Sequence, residues 1–146
     1  MKFNKSLLLA SMSIFLGCQT PGYFIPDTEL QLPDIRKAVN AVIGKPRYVS
    51  TNGRELISEF HDGKFQPYDE SGKNKIRYQT KVIILGPRRP YEINILVSQE
   101  QFENQTKAYV LRGIDEGLSR QRAIIIKKAL NLSLDKQSGF DGDKPF

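Results

Sequence analysis

One histidine, His61, and one cysteine, Cys18, bound the chemistry that this 146-residue chain can assemble. A single imidazole rules out a multi-histidine metal site and a two-histidine proton relay. A Ser-His-Asp set would use it once. No serine, however, sits in the G-x-S-x-G elbow that exposes a nucleophile, and Gly117-Leu118-Ser119 lacks the second glycine. Beside Asp62-Gly63, His61 reads as an exposed residue where a strand gives way to a loop. No G-x-x-x-x-G-K-[ST] or G-x-G-x-x-G run is present to cradle phosphate. Asp141-Gly142-Asp143 is acidic but lacks the ligand series of a calcium loop and reads as a solvated tail. Glu55 and Glu59 share the outward side of a strand, as solvated carboxylates do. The expectation is a protein without a catalytic set, a metal or a cofactor. Cys18 as a free thiol could be buried or pair between chains.

Cations offer more. Arg88 and Arg89 stand between Pro87 and Pro90, which marks a hairpin tip of limited freedom. Guanidinium forks match carboxylate and phosphate. Arg47, Arg54 and Lys45 extend this tip into a basic rim if their strands pair, giving an anion-binding surface. The competing reading is a charged turn that keeps the hairpin soluble. Tyr48, Tyr78 and Tyr91 lie near strand starts, where core or rim packing is expected. The formal charge of +6 is too weak to imply nucleic acid.

These residues need elements to hold them. Ile35, Ala38, Val39, Val42 and Ile43 repeat at helical spacing, with Pro33 and Asp34 in the first turn and Gly44 and Pro46 as the stop. Tyr48–Thr51 leads through Asn52-Gly53, a pair suited to a tight hairpin turn, into a strand over 54–61. There Leu56, Ser58 and Phe60 share one side, opposite Glu55, Ile57, Glu59 and His61. Residues 62–75 form a loop, and Ile76–Leu85 is a β-branched strand. After the turn at 86–90, Tyr91, Ile93, Ile95 and Val97 alternate with polar residues. Tyr109–Leu111 adds a short edge strand. A second helix covers 115–134, with Leu118, Ile125, Ala129 and Leu132 on one stripe, widened by Ile126 and Leu130. Ser119, Arg120, Arg122, Lys127 and Lys128 then face water. The fold class is α+β: an antiparallel meander of three or four strands with both helices on one face.

The N-terminus supplies an address. Lys2 and Lys5 precede an apolar run, Leu7–Leu16, and Gly17-Cys18 follows. That order is a secretory signal, too short to span a bilayer core that needs ~20 helical residues. Phe15-Leu16-Gly17-Cys18 resembles the lipobox of bacterial lipoproteins at Gly17 and Cys18, with Phe15 where leucine is usual. The resemblance covers Met1–Cys18 and implies cleavage before Cys18. It also implies a diacylglyceryl thioether on that sulfur and often an N-acyl chain (palmitate being a usual donor), which removes Cys18 as a nucleophile or ligand. Two or three acyl chains make a lasting tether. Gln19, in place of an aspartate, is similar to the pattern of outer-membrane lipoproteins facing the periplasm.

Removing the first 17 of 146 residues leaves 129, a single-domain length, and the loss of Lys2 and Lys5 lowers the charge from +6 to +4. The expected layout is a signal peptide (1–17), a lipidated tether (18–32), one α+β domain (33–134) and a flexible tail (135–146). Tyr23, Phe24 and Ile25 are apolar for a tether and are expected to dock on the domain. The expected function is a lipid-anchored cell-envelope protein working by contact with an envelope protein partner, as a non-catalytic accessory or scaffold. The alternative is a binding module for an anionic envelope polymer or lipid through the basic hairpin tip. No nucleic-acid partner is expected.

Overall fold

The computed structural model describes residues 20–139. The expected signal segment, Cys18, the start of the expected tether and the Asp141-Gly142-Asp143 run lie outside the described residues. Within them the chain reads β1 (Tyr23–Thr28), α1 (Leu32–Ile43), β2 (Tyr48–Val49), β3 (Glu55–His61), β4 (Ile76–Leu85), β5 (Tyr91–Glu103), β6 (Ala108–Ile114) and α2 (Glu116–Gly139). The class is α+β, with a six-stranded antiparallel sheet and two helices. Six strands replace the expected three or four.

Two of the extra pairings come from β5. Strands β2 to β5 form a meander, and β4 pairs with β5 along almost its whole length. The other edge of β5 is shared. β1 pairs with its first half, from Tyr91 to Ile95, and β6 with its second half, from Ser98 to Glu103. The expected tether is therefore corrected over Tyr23–Thr28, which is an edge strand of the sheet. Its apolar residues do sit on the domain, as expected, with Ile25 buried. Pro26 is tolerated because β1 is an edge strand, and a register shift with Asp27 at φ 53° breaks the alternation there.

Helix α1 forms as its sequence dictates. Pro33 lies in the first turn, Asp34 adds an acid there, and Gly44 at φ 76° donates its N–H to the Asn40 carbonyl. Ile35, Ala38, Val39 and Ile43 are buried. They meet Leu56, Val82, Ile84, Ile93 and Ile95 of the sheet, and Ala123, Ile126 and Leu130 of α2, in one apolar core. Each fully buried Ile or Val contributes about 1.5–3 kcal/mol.

Helix α2 corrects two expectations. It runs on to Gly139, so residues 135–139 are helical, and Gln137 donates to the Asp34 carboxylate at 2.8 Å, tying the last turns to α1. Its buried stripe is Ser119, Arg122, Ala123, Ile126 and Leu130. Ile125 and Leu132, expected to lie inward, are 43% and 53% exposed. Ser119 and Arg122, expected to face water, are buried, whereas Arg120, Lys127 and Lys128 do face it. Polar partners waiting in the sheet account for this rotation.

Candidate functional site

β3 carries the hinge of the geometry. Ile57 pairs with Lys81 but Phe60 with Gln79, so β3 holds one residue more than β4 across this stretch. Such a bulge shifts the two-residue alternation by one place. Leu56 and Ser58 face the helices before it; His61, not Phe60, faces them after it. His61 is consequently 4% exposed, which corrects the exposed placement expected from its sequence position. Ser58 fills the missing rung: its Oγ accepts the Thr80 N–H at 3.0 Å and donates to the Glu59 carbonyl at 2.7 Å.

His61 then joins a buried polar chain. Its Nδ1 lies 2.8 Å from the Asp62 carbonyl, which can only accept, so Nδ1 carries a proton. Nε2 lies 2.9 Å from Thr80 Oγ1 and, in the neutral ring, accepts that hydroxyl proton. Thr80 Oγ1 in turn accepts from Arg122 Nε at 3.3 Å. Burial lowers the His61 pKa from its ordinary value, and the Arg122 charge adds to this against the opposing pull of Asp62.

Arg122 is the unusual member. It is 5% exposed, and burial lowers its pKa to about 10, leaving it cationic at neutral pH. The ion pairs among the described residues are Arg77–Glu100, Lys81–Glu55 and Arg112–Glu103, so no carboxylate there balances Arg122. Its Nη1 donates to the Val42 carbonyl at the end of α1, at 3.4 Å, and its guanidinium lies 4.0 Å from the centre of the Phe65 ring. Phe65 itself sits at φ 62°, a strained value for a bulky residue. Asp62 fixes it there by accepting the N–H groups of Lys64 and Gln66 at 2.7 and 2.9 Å. Beside these groups lies a cavity of about 250 Å³, with Val42, Ile43, Phe60 and Pro67 in its walls.

The arginines singled out by sequence separate into two places. Arg54 donates to the Gly86 carbonyl and lies 5.4 Å from the Tyr91 ring centre, so it belongs to the β4–β5 hairpin tip. Arg89 donates to the Glu29 carbonyl at 3.3 Å, and Arg88 is exposed beside it. Arg47 is elsewhere: it lies 5.2 Å from the Phe60 ring at the far end of β3. The expected basic rim is thus corrected to Arg54, Arg88 and Arg89. Two of these three already donate to backbone carbonyls.

The sheet face away from the helices carries a second array. Arg77 lies 3.6 Å from the Phe60 ring centre and 3.7 Å from that of Tyr109, while its Nε bonds Glu100 at 2.7 Å. Tyr68 reaches in from the 62–75 loop with its hydroxyl 2.7 Å from that of Tyr109; burial and this bond raise its phenol pKa to about 12. Past this array lies β6, a seven-residue edge strand paired only with β5, on which Leu111 is 62% exposed.

Among the described residues no helix is long and apolar enough to cross a membrane. No cluster of three or more His, Cys, Asp or Glu groups is placed to hold a metal among them either. No protein-family model matches the chain, and no curated protein or solved structure does.

Proposed function

We propose that this chain is a lipid-anchored, non-catalytic accessory of the bacterial cell envelope, fastened through Cys18, that works by adding an extended segment of a partner protein to β6. The carrying observation is the bare edge of β6. It spans Ala108–Ile114 without proline, pairs in regular register with β5 over Ala108–Leu111 before a bulge at Arg112, and has that one cation engaged by Glu103 at 2.9 Å. Edge strands are ordinarily blunted by proline, free lysine or a covering element; one left open accepts a further strand, with main-chain bonds for affinity and side-chain contacts for choice. Leu111 supplies an apolar contact, and the Arg77 array stiffens the sheet beside it.

The test places a photo-reactive residue at position 111 and, as a control, at the exposed position 124 on α2, in intact cells. A discrete adduct from 111 and none from 124 is expected. An adduct of the same size from both sites, or from neither, refutes the reading. The anchor is tested by palmitate labelling, which Cys18→Ser should abolish along with membrane retention.

The basic tip remains the second reading, supported by the convergence of Arg54, Arg88 and Arg89. It requires salt-sensitive binding to anionic vesicles, lost when Arg88 and Arg89 become alanine.

A further inference from the structure

We propose that the cavity beside Arg122 binds a small monocarboxylic acid with an apolar body, its carboxylate held by the free edge of the guanidinium. This site lies on the helix side of the sheet and is independent of both the anchor and the β6 edge.

The argument begins with an unbalanced charge. A buried cation without a counter-ion is costly, and proteins pair it, neutralise it or leave it for a ligand. Arg122 keeps its charge at neutral pH, since its lowered pKa is still about 10. What surrounds it offsets the charge only in part. The Val42 carbonyl, at the negative end of the α1 dipole, takes Nη1, and the Phe65 ring takes one face. Thr80 takes Nε at 3.3 Å. Nη2 has no partner among the described residues, yet it is not one of the buried polar atoms sealed without a bond. It therefore keeps some accessible surface, and Arg122 is one of the residues lining the cavity.

The cavity selects the anion. Its volume of about 250 Å³ lies just below the range of drug-sized pockets, roughly 300–1,000 Å³. Val42, Ile43, Phe65 and Pro67 make the wall largely apolar. A phosphate dianion would need several donors, and His61 offers none here: Nδ1 is spent on Asp62, and Nε2 is an acceptor facing Thr80. One guanidinium edge suits one carboxylate. The apolar walls suit a short aliphatic or aromatic remainder, and Glu59, at the rim, disfavours a second negative charge on the ligand. A bound carboxylate would also cancel part of the Arg122 charge felt by His61, so occupancy should raise the pKa of that ring.

As His61 is the sole histidine, its imidazole resonances report on the site without assignment. The full chain is titrated with hexanoate and benzoate, with inorganic phosphate as the bare-anion arm and N-acetylalanine as a stand-in for a peptide C-terminus. Hexanoate or benzoate is expected to move the His61 signals saturably and to raise the pH at which they titrate. Arg122→Met should abolish the shift while the fold persists, because an apolar chain of similar length removes a buried charge that has no counter-ion. Should Arg122→Met not fold, Arg122→Lys keeps the charge without the fork and should bind about tenfold more weakly. No saturable shift with either acid, an undiminished shift in the variant that folds, or tighter binding of phosphate or N-acetylalanine than of hexanoate would overturn the proposal.

Discussion

The Val97 N–H donates to Ser119 Oγ at 2.9 Å, although one residue is in the middle of the sheet and the other in the first turn of α2. The contact exists because β1 and β6 share an edge of β5 and leave a gap between Ile95 and Ser98. Val97 falls in that gap with both backbone groups pointing at no strand. The first turn of α2 and the residue before it supply what is missing: Ser119 Oγ accepts the N–H, and the Asp115 N–H donates to the Val97 carbonyl at 2.8 Å. Ser119 also donates to the Asp115 carbonyl at 2.7 Å, so its hydroxyl is satisfied in both directions.

Ser119→Ala should therefore orphan a buried amide. The expected loss is about 1–3 kcal/mol, the desolvation cost of an unmet backbone donor rather than the value of one average hydrogen bond. Urea denaturation measures it. A loss below the scatter of ordinary surface substitutions would show that the gap is filled in another way.

His61 makes stability depend on pH with a definite sign. Burial holds its folded pKa below the ordinary 6.5, so in the window beneath 6.5 the unfolded chain binds more protons than the folded one. Stability is then complete above that value and falls as pH drops through the folded pKa. Thermal melts should show Tm declining on acidification from about pH 6.5, before carboxylates near 4 take part. His61→Gln should flatten that stretch of the profile. A Tm that rises on acidification in the wild type would contradict the buried, neutral ring.

What could be read from the sequence follows from where one period governs. Helix α1, strand β4 and the turn after it were legible because apolar spacing, proline and glycine agree at their boundaries. β1 was not, since it is short, bears Pro26 and is broken by a register shift at Asp27, which removes the alternation a strand should show. His61 was misplaced by the bulge in β3. A one-residue slip exchanges the two faces of a strand, and nothing local in Ser58-Glu59-Phe60 announces it. Sequence alone puts Arg122 in water because a charge in a polar helix is usually solvated; its burial depends on Thr80 and Phe65, which lie far away in sequence. Among the candidate cations, sequence placed the Arg88-Arg89 tip but could not tell that Arg47 and Arg54 sit at opposite ends of β3.

Arg77 offers a test in which charge is conserved and geometry is not. Its plane lies between Phe60 and Tyr109 while the edge engages Glu100 at 2.7 Å. A lysine keeps the charge but can neither stack on two rings nor present the fork. Arg77→Lys should cost about 1 kcal/mol from the lost ring contacts. A double-mutant cycle with Phe60→Leu should give a coupling of about 0.5–1 kcal/mol. Additive effects would mean that the rings merely lie near the cation.

The phase of α2 can be settled with two adjacent isoleucines of identical chemistry. Ile126 is fully buried in the core shared with α1 and the sheet, whereas Ile125 is 43% exposed. Apolar periodicity alone puts Ile125 on the inward stripe. The hydroxyl of Ser119 and the guanidinium of Arg122, each bonded to the sheet, turn the helix so that Ile126, on the widened edge of that stripe, lies at its centre and Ile125 is left outside. Ile126→Ala should therefore destabilise by about 2–5 kcal/mol through lost burial and a residual cavity. Ile125→Ala should cost less than about 1 kcal/mol, since little apolar area is withdrawn from contact and alanine favours the helix. Equal losses at the two positions would place the seam between them, and the polar anchors of α2 would then have to be reassigned.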